Sequence, residues 1–143
     1  MEKTIDVLAV GNAIVDVFST CDDDFLDQQS IGKGMMNLID AERSAALYAD
    51  LGQSEKMSGG SAANTAVGIA ALGGAAAFAG RVHDDPLGHA FCDDIKNASV
   101  AFNNPPHVNG SPTASSIILI TPDAIRSMNT YLGACIELQP EDI

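Results

Sequence analysis

Apolar and polar positions follow two rhythms along this chain, and the switches between them mark its elements. Residues 5–11, IDVLAVG, are a short apolar run ending in glycine, the pattern of a buried strand feeding a turn. AIVDVFS at 13–19 continues apolar but carries Asp16 in its middle. A carboxylate in such a run faces water or is kept for a purpose, because unpaired burial is costly. CDDDFLDQQ at 21–29 predicts an acidic turn capping a short helix. Its three successive aspartates point in different directions, which favours solvated caps over a metal site. GMMNLID at 34–40 predicts another short strand, after which Asp40 caps a helix over 41–51 with Ala41, Ala45, Leu47, Tyr48 and Leu51 turned inward.

Beyond Gly59-Gly60 the rhythm changes. Ala63, Ala66, Val67, Ala70 and Ala71 recur at helical spacing, a stripe of small side chains that lets a helix lie close to a sheet. The helix is predicted to stop at Gly73-Gly74. AAAFAGRV at 75–82 predicts a strand, and Asp85-Pro86 opens a helix with Leu87, Ala90, Phe91 and Ile95 on its apolar face. NNPPHVNGSPT at 103–113 is a turn-rich connection. ASSIILIT at 114–121 and IRSMNTYLG at 125–133 read as a hairpin around Pro122-Asp123, with Arg126, Met128 and Thr130 on one face. Strands alternating with helices predict α/β architecture with parallel strands. The short strands at 13–19, 34–39 and 99–103 belong to no helical crossover and predict a small separate sheet.

Composition narrows the function. A chain of 143 residues fits one domain and buries roughly 70% of its unfolded surface. Aromatic residues are 5% with no Trp, so a core of Ala, Val, Ile and Leu is expected. The formal net charge of −12 argues against nucleic-acid or anionic-membrane partners, which need clustered Lys and Arg. Cys21, Cys92 and Cys135 follow no CxxC or zinc spacing and predict reduced thiols in a cytoplasmic setting. No leader pattern is read at the N-terminus, and VGIAALGGAAAFAG at 67–80 is too short and too glycine-rich for a membrane span.

The candidate chemistry lies at strand ends. SGGSAANTA at 58–66 is neither a Walker A loop nor a dinucleotide fingerprint, since neither GKS/T nor GxGxxG is present. Paired glycines between a strand and a helix admit positive φ and let a ligand touch backbone. Asn64 one turn later offers both a donor and an acceptor. Asn12 and Asp16 are expected just past the first strand, where open α/β sheets bind ligands. Together these compact polar groups suit vicinal hydroxyls. Taken one at a time, each also has a plainer reading as a turn, a solvated helix residue or an exposed strand position.

Several stretches together resemble the ribokinase-like, or PfkB, family of carbohydrate and nucleoside kinases, and most closely its adenosine-kinase-like branch. They are GNAIVDV at 11–17, SGGSAANTAVGIAALGG at 58–74, GRVHDDPLG at 80–88 and PTASSIILITPDAIRSMNTYLGA at 112–134. The resemblance implies a three-layer α/β fold with helices on both faces of the sheet, present in part, plus a small β-sheet lid from about 13–39 and 99–131. It implies ATP-dependent phosphorylation of a primary hydroxyl of a sugar or nucleoside, with ATP and Mg²⁺ as cofactors. By the same resemblance Asp16 and Asn12 hold sugar hydroxyls, Gly59, Gly60 and Asn64 form the sugar cradle, and Met36, Leu38 and Met128 lie over the ligand. Arg126 resembles the arginine that reaches the transferring phosphate. No metal ligand is assigned within residues 1–143. The family's Gly-Ala-Gly-Asp motif, source of the general-base aspartate, does not occur in this sequence. The chain is therefore expected to correspond to the N-terminal substrate-and-lid half of such a kinase. Alone it is expected to be inactive, and to form homo-oligomers or associate with a completing C-terminal half. A non-catalytic sugar- or nucleoside-binding domain using the same residues is the other reading.

Overall fold

The computed structural model describes residues 4–143. Its chain order is β1 (Val7–Val10), β2 (Ile14–Thr20), α1 (Asp23–Gln28), β3 (Met36–Leu38), α2 (Ala41–Ala49), β4 (Ser54–Gly59), α3 (Ser61–Ala71), β5 (Ala76–Ala79), α4 (Pro86–Asn97), β6 (Ala101–Phe102), β7 (Ala114–Ile120) and β8 (Arg126–Tyr131). Two short 3₁₀ turns follow at Gly133–Glu137 and Pro140–Asp142. The strands form a three-stranded sheet, β1-β5-β6, and a five-stranded sheet, β3-β8-β7-β2-β4. The chain divides into two compact units, one holding the segments up to Val15, Met57–Ala114 and Leu132–Ile143, the other Asp16–Lys56 and Ser115–Tyr131. The architecture is mixed α/β, as the sequence pattern predicts.

In the first unit β1, β5 and β6 run parallel, with Val7 opposite Ala76 and Phe78 opposite Phe102. Residues 101–102 therefore pair with β5 and not with a strand of the five-stranded sheet, where 99–103 was expected. The core is built chiefly from Ala, Val, Ile and Leu, as expected. Phe78, Phe91 and Phe102, one each from β5, α4 and β6, bring their ring centroids within 5.6–5.8 Å of one another. The chain's few aromatics are thus gathered into one cluster within that aliphatic core. The alanine stripe of α3 behaves as its spacing predicts at Ala63 and Ala66, which are buried, while Ala71 at its end is exposed. A Cβ on Gly11 would lie 2.8 Å from the Ala62 Cβ, so small residues are what let α3 approach the end of β1. The helix stops as expected, with Gly73 at φ +90°.

β1 does not follow its pattern. Val7, Leu8 and Val10 are 38%, 53% and 46% exposed, although their sequence reads as a buried strand. β1 is an edge of its sheet, and its Leu8 borders a hollow of about 440 Å³ lined also by Ile5, Ala77 and Ile143 and by the polar Asn103, Asn104 and His107. Helix α3 packs on this strand, and the exposed side chains are left without a covering layer.

In the second unit β7 and β8 form the predicted antiparallel hairpin, with Ile117 opposite Asn129 and Ile120 opposite Arg126. Register puts Ser115, Ile117, Leu119, Ser127 and Asn129 on one face and Ser116, Ile118, Thr130, Met128 and Arg126 on the other. Helix α2 buries Leu47, as expected, together with Ser44, and leaves Ala41, Ala45 and Tyr48 exposed, contrary to the inward positions expected for those three. The Ser44 hydroxyl reaches Ser115 Oγ at 3.2 Å, so a polar pair occupies the place where an apolar contact was sought. The predicted caps are in place: Asp22, Asp40 and Asp85 accept the amides of Phe25, Arg43 and Gly88.

Candidate functional site

In the first unit the predicted residues meet at one junction. β4 ends at Gly59, α3 begins at Ser61, and Gly60 between them has φ +98° and ψ 138°, a region L-residues avoid. A Cβ there would lie 2.3 Å from the backbone carbonyl oxygen of Asn12, so Gly60 and Asn12 are in direct backbone contact. Asn12 follows two residues after β1, as expected, and its side chain is exposed. The Asn64 amide N–H donates to the Gly60 carbonyl at 2.9 Å, and the Asn64 side chain is exposed one turn into α3. The side chains of Asn12 and Asn64 are thus exposed beside the Gly60 turn, while Gly59 is buried.

In the second unit Asp16 lies in the middle of β2, and so not beyond a strand end as expected. It shares its side of the strand with Phe18 and Thr20, while Val17 and Ser19 are buried on the other. Its carboxylate has no hydrogen-bond or ion-pair partner among the described residues, and burial pushes its pKa up. A half-buried carboxylate without a partner is an acceptor waiting for a donor. β3 and β8 run parallel with Met36 opposite Met128 and Leu38 opposite Thr130. Met36, Leu38 and Met128 are exposed and form an apolar strip, and Arg126 lies two residues before Met128 on the same face. The Arg126 guanidinium has no partner among the described residues and is free to meet an anion.

The hairpin carrying Arg126 has supports that sequence pattern did not single out. Lys33 Nζ lies 2.7 Å from both Asp23 and Asp123, and Thr121 donates to Asp123 at 2.6 Å. Lys33 and Thr121 hold the Asp123 carboxyl down to about 2. The Gly34 amide donates to Ser127 Oγ at 2.9 Å, and the Met128 amide to the Met35 carbonyl at 2.8 Å. These contacts join residues about 90 apart, which local periodicity cannot foresee. The hollow of about 210 Å³ beside Ser19, Cys21, Asp22, Phe25 and Asp50 contains none of the predicted residues.

A match to the family model described as pfkB family carbohydrate kinase runs over residues 28–143. The chain belongs to the pfkB family of carbohydrate kinases. It is 53% identical to a probable sugar kinase of Rhizobium etli, over 99% of this chain and 43% of that one, with a TM-score of 0.88. It is also 53% identical to the adenosine kinase of Sinorhizobium meliloti, again over 99% of this chain and 43% of that one, with a TM-score of 0.87. A curated relative, the probable chloroplastic fructokinase-6 of Arabidopsis thaliana, is 32% identical over 94 residues, which are 66% of this chain and 24% of that protein. This pfkB chain thus spans less than half the length of the relatives it matches. Its two-sheet α/β architecture is that of its ribokinase-like neighbours.

The family implies ATP and Mg²⁺. Among the described residues no group of three or more His, Cys, Asp or Glu side chains is placed to hold a metal ion. The exposed, unpartnered Arg126 does fit a phosphate, which a planar guanidinium binds through paired N–H donors. No helix among the described residues is long and apolar enough to cross a membrane. The three cysteines are free thiols.

Proposed function

We propose that this chain provides the substrate-binding residues of a cytoplasmic kinase that phosphorylates a primary hydroxyl of a sugar or nucleoside. The observation carrying this reading is the 53% identity, across nearly the whole chain, to an adenosine kinase and a probable sugar kinase. The geometry within each unit supports it. The Gly59-Gly60 junction offers backbone at close range and Asn12 and Asn64 offer amides, while Asp16 offers an unpaired carboxylate that accepts from two vicinal hydroxyls. ATP, when bound, supplies the phosphoryl group. Arg126 would neutralise charge developing on that group, since phosphoryl transfer depends mainly on positioning and electrostatics.

The apolar strip of Met36, Leu38 and Met128 favours a nucleoside over a free sugar. A flat heteroaromatic base gains from covering exposed thioether and aliphatic surface, whereas a sugar does not. The five-stranded sheet that bears this strip is the proposed lid. The general base and the rest of the ATP site are assigned to residues outside this sequence, so the chain alone is expected to bind ligand without turning it over. Calorimetry with adenosine, ribose and fructose, paired with a coupled ADP-release assay, tests both halves. Adenosine binding without ADP release is expected. Binding of none of the three would overturn the substrate assignment, and robust substrate-dependent ADP release would overturn the placement of the base elsewhere.

A further inference from the structure

Ser58 stands immediately before the paired glycines on β4, an edge strand of its sheet. An edge strand leaves N–H groups that need another acceptor. The Ser58 amide finds one in Asp94 Oδ2 at 2.6 Å, across 36 residues of chain. A carboxylate accepting an amide at that distance makes a charge-assisted bond. Asp94 sits on α4, and α4 is well anchored. Phe91, Cys92 and Ile95 are buried along its length, and its N-cap Asp85 accepts both the Gly88 amide at 2.7 Å and the Thr113 amide at 2.9 Å. The neighbouring Asp93 is exposed, whereas Asp94 is half buried and turned to β4.

The junction is thus fixed at three successive points: the Ser58 amide by Asp94, Gly60 against the Asn12 carbonyl, and the Gly60 carbonyl by the Asn64 amide. Only the first depends on a side chain. We infer that Asp94 is a positioning residue, whose carboxylate sets the backbone of Gly59 and Gly60 for the ligand they contact. The inference rests on the reading of that junction as part of the substrate site. Asp94 itself touches no substrate; it acts through the Ser58 amide.

Amide hydrogen exchange on the full chain, followed by NMR, tests this directly. In Asp94→Ala the Ser58 amide should exchange about tenfold faster or more, with shifts at Gly59 and Gly60, while the amides of Phe78, Phe91 and Phe102 keep their protection. Asp94→Asn keeps an acceptor and should recover most of the protection at Ser58, which separates loss of the bond from loss of the fold. In parallel calorimetry the adenosine Kd should weaken by about threefold to tenfold in Asp94→Ala and less in Asp94→Asn. Unchanged exchange over residues 58–60 in Asp94→Ala would overturn the inference. So would altered exchange with equal adenosine affinity in all three proteins. A wild-type chain that binds no adenosine would remove the substrate reading of the junction, and the exchange rates at Ser58 through Gly60 would still decide whether Asp94 holds the turn.

Discussion

Replacing Gly60 by alanine asks two things of the chain at once. Alanine must adopt φ +98° with ψ 138°, a region that costs about 1–3 kcal/mol for an L-residue. Its Cβ must also avoid the Asn12 carbonyl oxygen, which stands 2.3 Å from the ideal position. That neighbour is backbone and cannot swing aside, so an overpacking cost of about 1–3 kcal/mol is added. The lower entropy of unfolded alanine returns about 0.4–1 kcal/mol. The net loss is then about 1–6 kcal/mol, large against a typical total stability of about 5–15 kcal/mol. Two control glycines separate the contributions. Gly73 has φ +90° but open space around its Cβ position, so Gly73→Ala should cost only about 1 kcal/mol. Gly68 lies within α3 with nothing near and no positive φ, so Gly68→Ala should stabilise by about 0.5–1 kcal/mol. Urea and thermal unfolding followed by circular dichroism would rank the three. For a chain of this size Gly60→Ala should lower Tm by about 5–15 °C. A loss at Gly60 no greater than at Gly73 would refute the steric part of the reasoning.

Other expectations follow from charge and exposure. Burial raises the Asp16 carboxyl pKa, so the folded state holds this proton more tightly than the unfolded state, and stability falls as pH rises from the ordinary carboxylate value through the raised one. Asp16→Asn should therefore raise Tm at pH 7, with the gain vanishing below about pH 4, while weakening sugar or nucleoside binding about tenfold; an unchanged Kd would remove Asp16 from the site. Asp123 is depressed to about 2 by Lys33 and Thr121, so its contribution is present above the ordinary carboxylate range and fades as pH falls toward 2. Lys33→Met should weaken that acid dependence, and salt should weaken it in the wild type; identical acid titration curves for the two proteins would contradict the bridge. The bare β1 side chains and the strip on β3 and β8 predict self-association or capture of a completing chain, so sedimentation at micromolar concentration should show a dimer or larger species, and a stable monomer would argue against it.

Much of this was legible because it was local. The caps at Asp22, Asp40 and Asp85, the end of α3 near Gly73, the hairpin at Pro122-Asp123 and the Gly59-Gly60 junction each depend on a few neighbouring residues. What local pattern could not supply was the identity of the partner. Nothing in IDVLAVG says whether a covering layer is present, so β1 was read as buried and is exposed. Two residues at 101–102 are too few to reveal which sheet they join, and pairing with β5 decided it. Ser44 on α2 is buried through its contact with Ser115, 71 residues away, which a local apolar pattern does not reveal. Of the candidate site, the residue types and junction were readable from sequence. The Lys33–Asp123 bridge and the Asp94 bond were not, since both join residues far apart in the chain.

The pairing of β1 with β5 also has a consequence for biosynthesis. Asp6 receives the Ala75 amide across 69 residues, so the first strand leaves the ribosome long before its neighbour exists. At translation rates of roughly 5–20 residues per second, that interval is roughly 3–14 s. Throughout it Ile5, Val7, Leu8 and Val10 are an unpaired apolar stretch of a nascent chain. The β5–α4–β6 segment, by contrast, gathers Phe78, Phe91 and Phe102 within 25 residues and can close its aromatic cluster as soon as it emerges. For this sheet the order of assembly on the ribosome is then the reverse of the order of synthesis, with β1 docking onto a platform made after it.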